Sequence, residues 1–244
     1  MPLTVLLTGF GPFPGAAFNP TAGLAQRLAA RRRPAFADVT RIAHVFRTSY
    51  AEVERELPGL VKRVRPDVVL LFGVATRTKY LRVELRARNA RSPLFPDADR
   101  DRPESTIIAV GASGTRSGRA PQRALLAAVR AERLPVRLSH SAGRYLCNFA
   151  YWHALAAAAG GNAPLVQFIH VPMVRRGHMR PGARRRLTAR DLERAGEAIL
   201  MALIVAARAR RRQAQPALRQ AAAAAVPVEA QPQPKRERRQ AVAG

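Results

Sequence analysis

Three short apolar runs constrain this chain more than any other feature: Leu3 to Thr8, Asp67 to Gly73 and Leu165 to Val171. Each is far shorter than a membrane span and too continuously apolar for a strand with one wet face. Each therefore reads as a strand buried on both sides, the pattern of a parallel sheet. Val39 to Phe46 and Val136 to Ser139 add two strand candidates. Helical stretches separate them: one opened by Asn19 as cap and Pro20 in the first turn, then Ser49 to Val64, Pro121 to Arg133 and Cys147 to Ala159. A last helix begins at a capping pair, Thr188 and Asp191, and continues through Leu192, Ile199, Leu203 and Ile204. Strands alternating with helices in this way predict an α/β protein, a three-layer α/β/α sandwich around a mostly parallel open sheet.

Two stretches are less regular. Tyr80 to Asn89 alternates Leu81, Val83, Leu85 and Ala87 with Arg82, Glu84, Arg86 and Arg88, which predicts a strand with one charged face. Asp97 to Ser117 reads as a mobile surface excursion around a short strand-like Thr106 to Val110. From Gln213 the chain turns to Ala, Gln, Pro and Arg with little to bury. The sequence thus predicts one domain over residues 1–212 and a disordered tail over 213–244.

The chain has 244 residues, 48% of them hydrophobic, enough for one extensive core. Its net charge of +26 comes from 42 basic against 16 acidic residues, and Lys62, Lys79 and Lys235 are the only lysines. An arginine excess spread over most of the chain, with aromatics at 6%, does not form a nucleic-acid signature of interleaved basic and stacking residues. The single cysteine excludes an internal disulfide framework, the first twenty residues lack a secretory pattern, and no apolar run is long enough to cross a membrane. The expectation is a cytoplasmic protein with neither specific nucleic-acid nor membrane partners, and with no cofactor or metal.

That cysteine, Cys147, stands between a strand-like and a helix-like run, where a helix N-terminus is expected to lower its pKa and favour the thiolate. His170 sits at the exit of the third buried strand, where open α/β sheets build their sites. A nucleophilic thiol needs a base, the base needs a group to hold its ring, and the attacked carbonyl needs donors for its oxyanion. Cys147, His170 and Glu84 can fill the first three roles. They can equally be a small core residue, a satisfied core histidine and a solvent-facing strand acid.

Several short segments together resemble the pyroglutamyl peptidase I family, also called pyrrolidone-carboxylate peptidases. They are Leu6-Leu7-Thr8-Gly9-Phe10-Gly11-Pro12-Phe13 with Asn19-Pro20, Arg65-Pro66-Asp67-Val68-Val69, Val83-Glu84 with Asn89, Ser141-Ala142-Gly143 with Cys147-Asn148, and Phe168-Ile169-His170-Val171-Pro172. They occur in the family's order from Leu3 to about Ala207. The resemblance implies an open α/β/α sandwich and a thiol peptidase that removes N-terminal pyroglutamate through a thioester. It implies Cys147 as nucleophile, His170 as base and Glu84 as the residue that orients it. Phe10 and Phe13 would line the pocket for the pyrrolidone ring, with Asn19 and Val74 completing the substrate-binding set. Members often form homo-oligomers, so the implied partners are a peptide or small amide substrate and further copies of the chain.

The sequence departs from the family at two places. After Phe72-Gly73, where members commonly carry Gly-Gln-Ala-Gly-Gly-Arg, it has Val74-Ala75-Thr76-Arg77-Thr78, and His140 replaces an asparagine before Ser141. Val74 therefore lacks an amide that could bond the lactam. Two alternatives stay open at this point: a hydrolase of the same fold acting on another small lactam or amide, and a non-enzymatic basic protein that presents its arginines to an acidic partner.

Overall fold

The computed structural model describes residues 2–14, 16–160, 163–174 and 186–224, the side chains of 215–224 excepted. In chain order the elements are β1 (Leu3–Phe10), α1 (Pro20–Ala30), β2 (Val39–Phe46), α2 (Tyr50–Val64), β3 (Val68–Ala75), β4 (Leu81–Glu84) and β5 (Ala87–Arg88). Then follow β6 (Thr115–Arg116), α3 (Gln122–Ala131), β7 (Val136–Ser139), α4 (Leu146–Ala157), β8 (Leu165–Pro172) and α5 (Ala189–Ala224). Six strands form one sheet in the order β2-β1-β3-β8-β4-β7, and β5 pairs with β6 in a small separate ribbon. All neighbours in the large sheet are parallel except β4 and β8. The α/β fold and the mostly parallel sheet follow the sequence expectation.

Successive side chains of a strand point to opposite faces, and the three apolar runs are continuous because both faces are covered. Val5 and Leu7 of β1, Val68, Leu70 and Phe72 of β3, and Ile169 and Val171 of β8 share one core with α1, α3 and α5. Leu6, Val69, Leu71, Val166 and Phe168 share the other with α2 and α4, whose Phe149, Tyr151 and Trp152 are almost completely buried. Every residue of β8 is buried.

The caps at Asn19 and Thr188 fall where the sequence placed them, and Ser49 caps the helix expected to start there. The Asn19 side chain accepts from the Thr21 N–H at the start of α1, and the Ser49 hydroxyl from the Glu52 N–H at the start of α2. Thr188 and Asp191 exchange bonds, Thr188 N–H to Asp191 Oδ2 at 2.9 Å and Asp191 N–H to Thr188 Oγ1 at 3.1 Å.

The stretch Tyr80 to Asn89 is not one strand. The chain breaks at Leu85 and Arg86 because β4 is enclosed between β7 and β8, whereas β5 leaves the sheet to meet β6. Thr106 to Val110 forms no strand, since no sheet edge receives it. Its Val110 is 95% exposed, and pairing occurs instead at Thr115–Arg116. One compact unit ends at Ala209. Helical backbone continues past Gln213, where the sequence reading begins the tail, to Ala224. Alanine, glutamine and arginine favour helix even where nothing apolar is buried. Residues 225–244 of that tail lie outside the described residues.

Leu70, fully buried at the centre of β3, offers a test of the core. Leu70→Ala is expected to lower unfolding stability by about 2–5 kcal/mol, through lost burial and a residual cavity. Urea titration reads this as a lower midpoint at unchanged slope.

Candidate active site

Strand alternation decides which side chains meet. On the face covered by α2 and α4, β8 presents Val166, Phe168 and then His170, and β3 presents Val69, Leu71 and then Gly73. β4 gives Leu81 and Val83 to the opposite core, which leaves Arg82 and Glu84 on the same face as His170. In the antiparallel pair Arg82 lies opposite His170 and Val83 opposite Ile169, so Glu84 is the diagonal neighbour of His170. The His170 Nδ1–H donates to Glu84 Oε1 at 2.7 Å. A carboxylate only accepts, so this bond keeps the proton on Nδ1 and leaves Nε2 as the basic nitrogen. Glu84 has no solvent exposure and His170 almost none.

Helix α4 begins over this spot. Its N-cap, Tyr145, makes no side-chain capping bond. The first helical bond runs from the Phe149 N–H to the Tyr145 carbonyl, so the N–H groups of Leu146, Cys147 and Asn148 precede it. Cys147 and His170 line one cavity of about 610 Å³ at the carboxyl ends of β1, β3 and β8. Gly73 makes room for the thiol: a β-carbon there would lie 2.7 Å from Cys147 Sγ and 2.6 Å from the Phe168 ring.

The helix N-terminus is not the largest influence on the thiol. Burial pushes Cys147 up to about 12 and the Glu84 charge adds to this, while Arg82 and the residue's own backbone N–H oppose it. At this site desolvation outweighs the helix dipole. His170 is held below the ordinary histidine range, first by burial, against the hydrogen bond and charge of Glu84. Burial favours the neutral form of both groups, and Cys147 keeps partial exposure to the cavity.

Of the other residues singled out in the sequence, Phe13 and Val74 line the cavity and Phe10 and Asn19 do not. Phe10 is buried at the end of β1 against Phe46, ring centroids 6.0 Å apart. Asn19 Nδ2 donates to the Gly11 carbonyl at 3.0 Å while its Oδ1 accepts from the Thr21 N–H and hydroxyl. Both therefore shape the loop that carries Phe13, which contacts Tyr145 at 6.1 Å between centroids. The sequence reading missed Tyr145, Arg82 and Phe95, all in the cavity wall. Arg82 was legible through its period-two relation to Glu84. Nothing in the residues around Phe95 signalled its position.

Three polar side chains, Asn148 and Asp97 buried and Asn89 partly so, hold the surrounding loops. Asn148 Oδ1 accepts from the Arg88 N–H, and Nδ2 donates to the carbonyls of Arg88 and Ala90, which ties α4 to β5. Asn89 Oδ1 accepts from the N–H groups of Ile108 and Ala109. Asp97 accepts from Tyr50, Asp99 and Asp101 N–H groups, and the Tyr145 hydroxyl donates to the Pro96 carbonyl at 2.8 Å. Phe95 is thus fixed at the cavity although it is 62% exposed. Among the described residues no group of three or more His, Cys, Asp or Glu side chains is placed to hold a metal ion.

Gly73→Ala is expected to displace the thiol with the fold retained. The check is a fall of roughly a hundredfold in both turnover and iodoacetamide labelling of Cys147, since misplacement by about 1 Å costs that much, with the far-ultraviolet circular dichroism unchanged.

Comparison with known proteins places these features in context. The profile of the pyroglutamyl peptidase family matches residues 3–209. The pyrrolidone-carboxylate peptidase of Thermococcus onnurineus is 32% identical over 173 residues, covering 70% of this chain and 84% of the relative. That of Gloeobacter violaceus is 30% identical over 171 residues, covering 70% and 82%. The solved structure of pyrrolidone carboxyl peptidase from Thermococcus litoralis superposes with a TM-score of 0.72 at 27% identity, covering 83% of this chain and 94% of that one.

Proposed function

The chain belongs to the pyroglutamyl peptidase family, and from that premise we propose how Cys147, His170 and Glu84 share the work of removing an N-terminal pyroglutamyl residue as a cysteine-type exopeptidase. Cys147 Sγ attacks the pyroglutamyl carbonyl carbon while its proton passes to His170 Nε2. The N–H groups at the uncapped start of α4 hold the oxyanion, where the helix dipole adds to each bond. The C–N bond breaks as His170 returns the proton to the leaving amine, which gives a thioester. Water then attacks the thioester carbon with His170 as base, and pyroglutamate leaves as the thiol recovers its proton. Glu84 holds the ring and stabilises the imidazolium formed in each half-reaction.

The observation that carries this division of labour is the buried 2.7 Å contact between Glu84 and His170 behind a cavity shared with Cys147. An arginine-presenting binding protein has no use for it. The experiment is hydrolysis of a pyroglutamyl chromogenic amide. Cys147→Ala is expected to fold and to lose all turnover, and Glu84→Gln to lose roughly a hundredfold or more. Full turnover by folded Cys147→Ala would sink the assignment. Because burial lowers the His170 pKa, the acid limb of kcat/KM is expected below about pH 6.5. A limb at or above pH 7 would mean that the hydrogen bond and charge of Glu84 raise the His170 pKa by more than burial lowers it.

In the substrate pocket Phe13 and Val74 supply apolar walls, and Val74 brings no amide to the lactam. A site that bonds a polar group of its substrate rejects analogues lacking that group, and an apolar replacement forfeits the discrimination. Prolyl amides are therefore expected to be rejected less strictly than by an enzyme with glutamine at this position. Comparing kcat/KM for pyroglutamyl and prolyl amides in the wild type and Val74→Gln checks this, and an unchanged ratio would assign specificity to backbone atoms. The same reading takes the catalytic domain as complete by Arg212, acting in the cytoplasm, where an unpaired thiol stays reduced. Homo-oligomerisation belongs to this reading as well. No helix among the described residues is long and apolar enough to cross a membrane.

A further inference from the structure

The cavity beside Cys147 carries permanent charge of one sign. Arg77 and Arg82 line it, and no carboxylate joins them among the described lining residues. Arg82 Nε lies 3.3 Å from Glu84 Oε1 without a hydrogen bond, and a quarter of its side chain is exposed. Arg77 is exposed on the turn after β3, where the Thr78 N–H and hydroxyl both donate to the Ala75 carbonyl and fix the turn. A neighbouring hollow shares Thr76, Arg77 and Thr78 and adds Lys79 and Arg186, again without an acid among its described lining residues.

The position of Arg82 bears on one side of the scissile bond, and Arg77 lines the same cavity. His170 must deliver its proton to the leaving nitrogen, so the residue behind that nitrogen lies on the His170 flank. Arg82 stands directly opposite His170 in the β4–β8 pair, and such cross-strand neighbours are about 5 Å apart. One extended residue spans at most about 3.6 Å. A carboxylate carried by the first residue past the scissile amide therefore falls within the reach of an arginine side chain.

On the proposed function as premise, we infer that Arg77 and Arg82 form an anion subsite for the leaving residue. The preferred substrates are then pyroglutamyl peptides with a carboxylate one residue beyond the bond that breaks. It is either the free α-carboxylate of a dipeptide or the side chain of an acidic second residue. Guanidinium groups suit this task because they stay charged and offer paired donors to a carboxylate.

Two pairs of substrates separate these sources. Pyroglutamyl-alanine against pyroglutamyl-alanine amide reads the α-carboxylate, and pyroglutamyl-glutamate α-amide against pyroglutamyl-glutamine amide reads the side chain. In at least one pair the acid is expected to be favoured about tenfold in kcat/KM, the effect of one charge-assisted hydrogen bond. That ratio should collapse toward one in Arg77→Gln and in Arg82→Gln. Each ratio is taken within a single variant, so a general loss of turnover in Arg82→Gln through its contact with Glu84 cancels, and Arg77→Gln stands alone if the other variant fails to fold. Arg63→Gln, on the exposed last turn of α2, removes the same charge outside the cavity and should leave the ratio intact. A ratio near one in both pairs would overturn the inference. So would an equal fall in Arg63→Gln, which would trace the preference to the field of the whole +26 chain. If the wild type cleaves the uncharged amides without charge discrimination, only this inference fails; if it cleaves none of the four substrates, the proposed function fails with it.

Discussion

Glu84 is a carboxylate with no solvent exposure, and burying such a group is costly unless partners surround it. His170 bonds one of its oxygens and Arg82 approaches the same oxygen, while Gln167 Nε2 and the Tyr151 hydroxyl donate to its backbone carbonyl at 2.8 and 3.3 Å. These partners come from β4, β8 and α4. That one position therefore explains why β4 enters the sheet against the direction of its neighbour. A parallel β4 would present a different diagonal to His170. The antiparallel pairing puts Arg82 opposite the imidazole and Glu84 one step deeper, out of reach of water.

The thiol obeys the same logic from the other side of the cavity. Gly73 lies across from His170 in the β3–β8 register, and its missing side chain is the space that Cys147 Sγ occupies. Helix α4 can approach the sheet this closely because Asn148, the residue after Cys147, satisfies three backbone groups of Arg88 and Ala90 that would otherwise be stranded. The proximity that makes the site reactive also dries it. This is why the thiol is pushed up where a helix N-terminus alone would draw it down.

Legibility of the fold in the sequence followed hydrophobic period. Leu3 to Thr8, Asp67 to Gly73 and Leu165 to Val171 were readable because both faces of each strand are buried, and the caps at Asn19 and Thr188 were readable because their bonds are local. Tyr80 to Asn89 misled because its alternation is genuine while its cause differs. Arg82 and Glu84 are polar for the benefit of a catalytic face, not of solvent, and no single-sequence pattern distinguishes the two. Resemblance to a family supplied Cys147, His170 and Glu84, the triad proposed above, by position. It could not place Phe10 and Asn19 correctly relative to the cavity, since whether a loop residue faces a ligand or braces its neighbour depends on contacts distant in sequence. Arg77, Arg82, Tyr145 and Phe95 converge only in three dimensions.

The strand that bears His170 is buried along its whole length, whereas the turn that bears Thr76 and Arg77 and the segment that bears Phe95 run along the surface. Exchange of backbone hydrogens with solvent should accordingly divide the site in two. The β8 amides open only with the global unfolding of the domain, and the rim opens in smaller local events. Chemistry is thereby anchored to the most cooperative part of the molecule and selectivity to its least cooperative part. Substitutions at the rim can redirect the enzyme to new substrates without drawing on the stability that keeps the nucleophile and its base aligned.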